Sequence, residues 1–202
     1  MTKIILVRHG HVEGISPERF RGRADLALTA DGRRQAEATE RRIQAIWTPV
    51  AVYTSPLSRC RATGEAIGRP FGLSPHPIEG LIDIDYGNWQ GLTPDEAKSR
   101  WPRALDTWYR APHLAQIPAG ETLQGLLSRT VAALREVIER HQTEEVVVVG
   151  HDSVNRVLLL HALDLPLSRY WRLGQDPCAI NEIEFREDGF TIRSLNETFH
   201  LR

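Results

Sequence analysis

Two short, unbroken apolar runs stand out along an otherwise mixed chain, Ile4 to Val7 near its start and Val146 to Val149 towards its end. Four branched or aliphatic residues are too few for a convincing helix. They suit a strand buried on both faces of a parallel sheet. Between the two runs the period lengthens. Ala36, Ile43 and Ile46 predict a helix from about Ala30 to Trp47, capped by Thr29 and ended by Pro49. Leu126, Leu127, Val131, Leu134 and Ile138 predict a long helix over Leu123 to Arg140. Ala51 to Thr54 reads as a short strand stopping at Ser55-Pro56, where Ser55 as N-cap and Pro56 in the first turn predict the next helix. Leu81 to Asp85 alternates like a strand, which would put Asp83 and Asp85 on the face of Leu81. Thr93-Pro94-Asp95-Glu96 is a capping box, so a short helix starts there and fails near Trp101-Pro102. A helix from about Ser153 to Leu163 follows the second apolar run, with His161 read as packed or at the surface. Ala179 to Phe185 and Phe190 to Leu195 alternate around Glu187-Asp188-Gly189, an outlying hairpin that completes the sheet.

Strands alternating with helices predict an α/β sandwich. At 202 residues and 41% hydrophobic content, the simplest organisation is one domain over 1–202. The Trp- and Pro-rich stretch of about 83–120 is read as an insertion roofing the sheet edge. The aperiodic His11 to Leu28 is read as a loop over the same edge. A net charge of −1 gives no global field favouring nucleic acid or an anionic membrane. All but Lys3 and Lys98 of the 25 basic residues are arginine, spread rather than clustered. Cys60 and Cys178 lie far apart without metal-ligand spacing and are read as free thiols in a reducing compartment. No run approaches membrane-spanning length and no targeting segment is evident, so the expected location is the cytoplasm.

The chemistry gathers where the two apolar strands stop. The first ends on Arg8-His9-Gly10 and the second on Gly150-His151. In open α/β folds the carboxyl edge of the sheet is where ligands bind. Arg8 would supply a fixed, forked cation and His9 a nucleophile or proton carrier. Arg59 lies on the first turns of a helix, where a cation opposes the macrodipole unless an anion compensates it. Two arginines and two histidines set against one carboxylate, Asp83, make a site for a dianion, and phosphate fits best. The arginines already supply positive charge, so neither metal nor cofactor is expected. In-line attack by His9 would give a phosphohistidine while Asp83 protonates the departing alkoxide. Arg19, Arg21 and Arg23 either meet the phosphate or form a solvated charged loop.

The chain resembles the histidine phosphatase superfamily, in its phosphoglycerate mutase-like branch, over nearly its full length. The resemblance rests on LVRHG at 6–10, RFRG with Asp25 and Leu28-Thr29, SPLSRCRAT at 55–63, LIDIDYGNWQGL at 81–92, PAGET at 118–122 and VVGHD at 148–152. It implies a three-layer α/β/α sandwich with a mostly parallel central sheet. It further implies His9 as the phosphorylated residue, Arg8, Arg59 and His151 around the phosphoryl group, and Asp83 as proton donor. Arg21, Gly22 and Asp152 join Arg8, Arg59 and His151 as expected substrate or phosphate contacts. Asp83 stands where the branch usually has Glu, one methylene longer, so it reaches less far or works through water, with Asp85 in reserve. Ile15 replaces an Asn common a few residues after the first motif, and Arg21 a small or amide residue. Asp152 replaces a Gly, and its carboxylate orients His151 or points to solvent.

The leading expectation is a phosphatase acting on a small phosphorylated metabolite. Alternatives are a phosphoglycerate mutase-type phosphoryl transferase, against which the chain length counts, and a non-catalytic phospholigand-binding protein. His9-Gly10-His11 raises a metal-dependent hydrolase as a further class, with the remaining ligands not evident. The substrate is not legible, and a homodimer is left open.

Overall fold

A computed structural model describes residues 1–187 and 189–202. Asp188, in the turn expected between the last two strands, lies outside the described residues. The strands are β1 (Thr2–Arg8), β2 (Ala51–Thr54), β3 (Pro75–Pro77), β4 (Glu145–Gly150), β5 (Ile180–Arg186) and β6 (Gly189–Glu197). The helices are α1 (Ala30–Ile46), α2 (Ser58–Gly68), α3 (Pro94–Arg100), α4 (Pro102–Arg110), α5 (Leu123–Arg140) and α6 (Asp152–Ala162). One six-stranded sheet runs in the order β3-β2-β4-β1-β5-β6. β1, β2, β3 and β4 are parallel, and β5 and β6 join antiparallel as the expected hairpin. The architecture is therefore the α/β sandwich with a mostly parallel sheet.

Alternation along the central strands separates the two faces. Ile4, Leu6, Tyr53, Val146 and Val148 pack with α5 and α6 in the larger apolar cluster. Ile5, Val7, Val52, Val147 and Val149 pack with Ile43 of α1 and Cys60 and Ile67 of α2. Both faces of β1 and β4 are thus buried, as their unbroken apolar runs require. Residues 83–120 add α3 and α4 to the larger cluster, with Trp89 and Trp108 fully buried in it.

Register carries this regularity to the site. Arg8 pairs with Gly150 and Thr54 with Val149, so β1, β4 and β2 end at one level. The residues that follow, His9, His151 and Ser55, are therefore neighbours.

Three local expectations are corrected. Ser55 does not cap α2, whose N-cap is Leu57 with no side-chain bond of its own. The carboxylate of Asp25 instead accepts from Ser58 N at 2.8 Å, leaving the Ser55 hydroxyl for His151. Leu81 to Asp85 forms no strand: a 3-10 turn over Glu79–Leu81 runs into irregular backbone. Its carbonyls bond to Arg129 of α5 rather than to a neighbouring strand. β3 was not expected, because Pro-His-Pro lacks two of three ladder donors. Proline is tolerated there because β3 is an edge strand.

The chain beyond His9 packs tightly on the start of α1. A Cβ on Gly32 would lie 2.1 Å from the His11 carbonyl oxygen, and one on Gly10 would lie 2.4 Å from the Gly32 carbonyl oxygen. Helix propensity alone predicts that Gly32→Ala stabilises by about 1 kcal/mol. The contact reverses the sign, and Gly32→Ala should cost roughly 1–3 kcal/mol, read as a lower urea midpoint.

Candidate active site

At the carboxyl edge of the sheet lies a cleft of about 290 Å³. Arg8, His9, Arg21, Gly22, Asp83 and Asp152 all line it. Arg59 and His151 are fully buried immediately behind that wall. The two strand-end imidazoles lie with ring centroids 5.2 Å apart, inclined at 64°.

Backbone fixes the orientation of His9. Its Nδ1 lies 2.7 Å from the Gly10 carbonyl oxygen, which can only accept, so Nδ1 carries the proton and Nε2 keeps its lone pair. Burial first, then the charges of Arg59, His151 and Arg8, hold the His9 pKa well below 6.5. The ring is thus neutral and nucleophilic near pH 7. His151 is treated alike, with burial and Arg59 the leading causes of its lowered pKa. Arg59 Nε donates to His151 Nδ1 at 3.3 Å, and His151 Nε2 donates to the Ser55 hydroxyl at 2.8 Å.

Arg59 binds several parts of the chain at once. Its guanidinium donates to the carbonyls of Gly22 and Ala24, each at 2.7 Å, and to Asp83 Oδ2 at 3.1 Å. A Cβ on Gly22, whose φ is +47°, would fall 2.9 Å from the Ile84 carbonyl oxygen, so the loop approaches Arg59 closely only as glycine. Arg8 donates to the Gln175 carbonyl, while its buried Nε has no partner among the described residues.

Asp83 is 8% exposed and held from several directions. Oδ1 accepts from Ile84 N at 2.9 Å and from the Ser153 hydroxyl, and Oδ2 lies 3.5 Å from His151 Nδ1. Asp85, the reserve candidate, does not line the cleft. It caps Gly87 N at 2.8 Å and faces Arg23 at 3.4 Å. The Asp152 carboxylate neither orients His151 nor points freely to solvent: it accepts from Arg156 Nε at 2.9 Å and lies 3.9 Å from Arg8. Nor do His9 and His11 converge. His9 lines the cleft, whereas His11 bonds Thr29 at 3.0 Å and lines a separate groove. No cluster of three or more potential metal ligands occurs among the described residues.

Several contributors were not legible in the sequence. Trp171, near the end of a 3-10 helix over Leu167–Arg172, and Gly174, Gln175 and Asp176 in the irregular segment after it form a wall before β5 that no periodicity marks. Ser153 and Arg156 follow the His151 motif on α6 and could have been found by helical spacing. Arg129 supports Asp83 through the carbonyls of Gly80, Ile82 and Asp83, and is itself paired with Glu121 at 2.7 Å. This pairing explains the glutamate of PAGET.

Residues 4–198 match the histidine phosphatase superfamily (branch 1). Phosphoserine phosphatase 1 of Hydrogenobacter thermophilus is 32% identical over 201 residues, covering all of this chain and 95% of the relative. The metal-independent phosphoserine phosphatase of Arabidopsis thaliana is 30% identical over 204 residues, covering all of this chain and 84% of the relative. Among solved structures, YhfR of Bacillus stearothermophilus superposes with a TM-score of 0.94 at 28% identity, each chain covered completely.

The two neutral histidines make stability depend on pH. Below about 6.5 the unfolded chain takes up protons that the folded chain refuses, so stability falls as pH falls towards the depressed folded values. Each contributes a slope of about 1.4 kcal/mol per pH unit in that window. Urea unfolding of His9→Gln should give a stability profile that falls less steeply below pH 6.5 than that of the wild type.

Proposed function

The chain belongs to the histidine phosphatase superfamily (branch 1), and from that premise we propose that it hydrolyses a small phosphomonoester through a phosphohistidine at His9. The observation that carries this reading is the His9 ring, its Nδ1 proton committed to Gly10 and its unprotonated Nε2 kept neutral by burial among guanidiniums. Attack by Nε2 forms the N–P bond as the ester P–O bond breaks, and Asp83 gives its proton to the leaving oxygen. Water then attacks phosphorus, Asp83 takes a proton from it, and the N–P bond breaks to release phosphate. Arg8 and Arg59, with His151, hold the charge that spreads over the phosphoryl oxygens. Among the described residues no helix is long and apolar enough to cross a membrane. The setting we propose is the cytoplasm, in keeping with two free, buried cysteines.

The substrate we put first is phosphoserine. Two relatives matched across the whole of this chain carry that name. The cleft also has walls of both signs, with Arg21 and Arg156 set among Glu18, Asp152 and Asp176. Such a surface suits an ester whose alcohol bears both an ammonium and a carboxylate.

Wild-type protein mixed with p-nitrophenyl phosphate and quenched in alkali should yield an acid-labile, base-stable phosphoprotein, with continuing release of nitrophenol. His9→Ala should give neither. A phosphoprotein that passes its phosphoryl group to phosphoglycerate faster than to water would favour the mutase reading instead. Turnover that persists in His9→Ala would refute the nucleophile.

A further inference from the structure

We propose that Ser153 relays the proton between Asp83 and the leaving oxygen. The inference rests on the reading of His9 and Asp83 given above and adds a residue to it. Aspartate carries its carboxyl group on a single methylene, and here both oxygens are already engaged. Oδ2 is turned back towards Arg59 and His151, and Oδ1 towards Ile84 N and the Ser153 hydroxyl. Arg129 fixes the Asp83 carbonyl, so the backbone is anchored to α5 as well. Asp83 and Ser153 both line the cleft, and the Ser153 hydroxyl is bonded to Oδ1, the carboxyl oxygen that Arg59 does not engage.

Ser153 is suited to pass a proton. It lies at the second position of α6, two residues after His151, and is 2% exposed. Its side chain has a hydrogen bond to Asp83 and to no other group among the described residues. A hydroxyl donates one proton and accepts through two lone pairs. Against ionised Asp83 it donates. Against protonated Asp83 it accepts, and its own hydrogen is free to turn into the cleft.

The step balances with no added reactant. The ester P–O bond breaks with its electron pair on the leaving oxygen, which takes the Ser153 hydroxyl proton. The Asp83 O–H bond breaks as a new Ser153 O–H bond forms. Net, one proton moves from Asp83 to the alcohol and the serine is unchanged. In the second half the attacking water loses a proton to Ser153 Oγ, and the serine proton returns to Asp83.

The test compares two leaving groups. Nitrophenolate departs without protonation, whereas the serine alkoxide of phosphoserine needs it. Ser153→Ala should lower kcat/KM for phosphoserine roughly 100-fold while leaving p-nitrophenyl phosphate within about threefold, and Ser153→Thr should restore the loss. A retained burst of nitrophenol from the aryl ester, which reports the phosphorylation half alone, also shows that the variant is folded. In the wild type, kcat/KM for phosphoserine in mixtures of H2O and D2O should follow a bowed curve, two protons moving together. Equal loss on both substrates, no loss on either, or a straight isotope dependence would overturn the relay, and the last needs no variant at all. A wild type inactive on both esters would instead refute the phosphatase reading itself.

Discussion

The site is organised around a guanidinium that water does not reach. Arg59 is fully buried, and a lone cation there would cost several kcal/mol, so its N–H groups must all find acceptors. Four acceptors come from three stretches distant in sequence: the carbonyls of Gly22 and Ala24, the carboxylate of Asp83 and the ring of His151. One side chain thereby fixes the loop before α1, the irregular segment after β3 and the end of β4 against each other. Removing it would leave buried acceptors without partners and a carboxylate without its counter-charge, a loss of structure as well as of anion binding.

The same arrangement sets the protonation of the imidazoles. Positive charge beside a buried histidine favours its neutral form, and neutral His9 is the form able to attack phosphorus. A bound phosphate would reverse that bias by bringing negative charge among the guanidiniums, raising the affinity of the histidines for protons as the charge on the ester is engaged. On the proposed reading, the ligand and the two imidazoles would titrate as one linked set. A site built this way can hold an imidazole unprotonated before the substrate enters and polarise the phosphoryl group after it arrives.

How much of this is legible in a sequence depends on whether backbone or side chain sets the geometry. Ile4–Val7 and Val146–Val149 are strands because only doubly buried strands need such runs, and register then brings His9 beside His151. Thr29 and Thr93 cap as read, since capping is local chemistry. Ser55 was misassigned because a hydroxyl beside a helix start has two possible partners, and His151, 96 residues away, took it. The carboxylate of Asp152, left open between the ring of His151 and solvent, is taken by Arg156 one turn ahead. The wall from Trp171 to Asp176 left no trace, because a short 3-10 helix and the irregular backbone after it carry no amphipathic period, and their place is decided by contacts such as that between Arg8 and Gln175.

Asp83 shows what that irregularity demands. The histidines stand on strand ends whose ladders fix them on both sides, so they need little further support. The acid stands on backbone that belongs to no strand, and its position is imposed from outside by Arg129, itself oriented by Glu121 from the turn before α5. The distance from Glu121 to the cleft is thus covered by one ion pair and a fan of carbonyl bonds, a rigid strut because an arginine fork engages several acceptors in one plane. A longer acid could reach the leaving group from a loosely held backbone. A shorter one has no such latitude, so with aspartate at position 83 the precision shifts from the carboxylate to the groups that hold it.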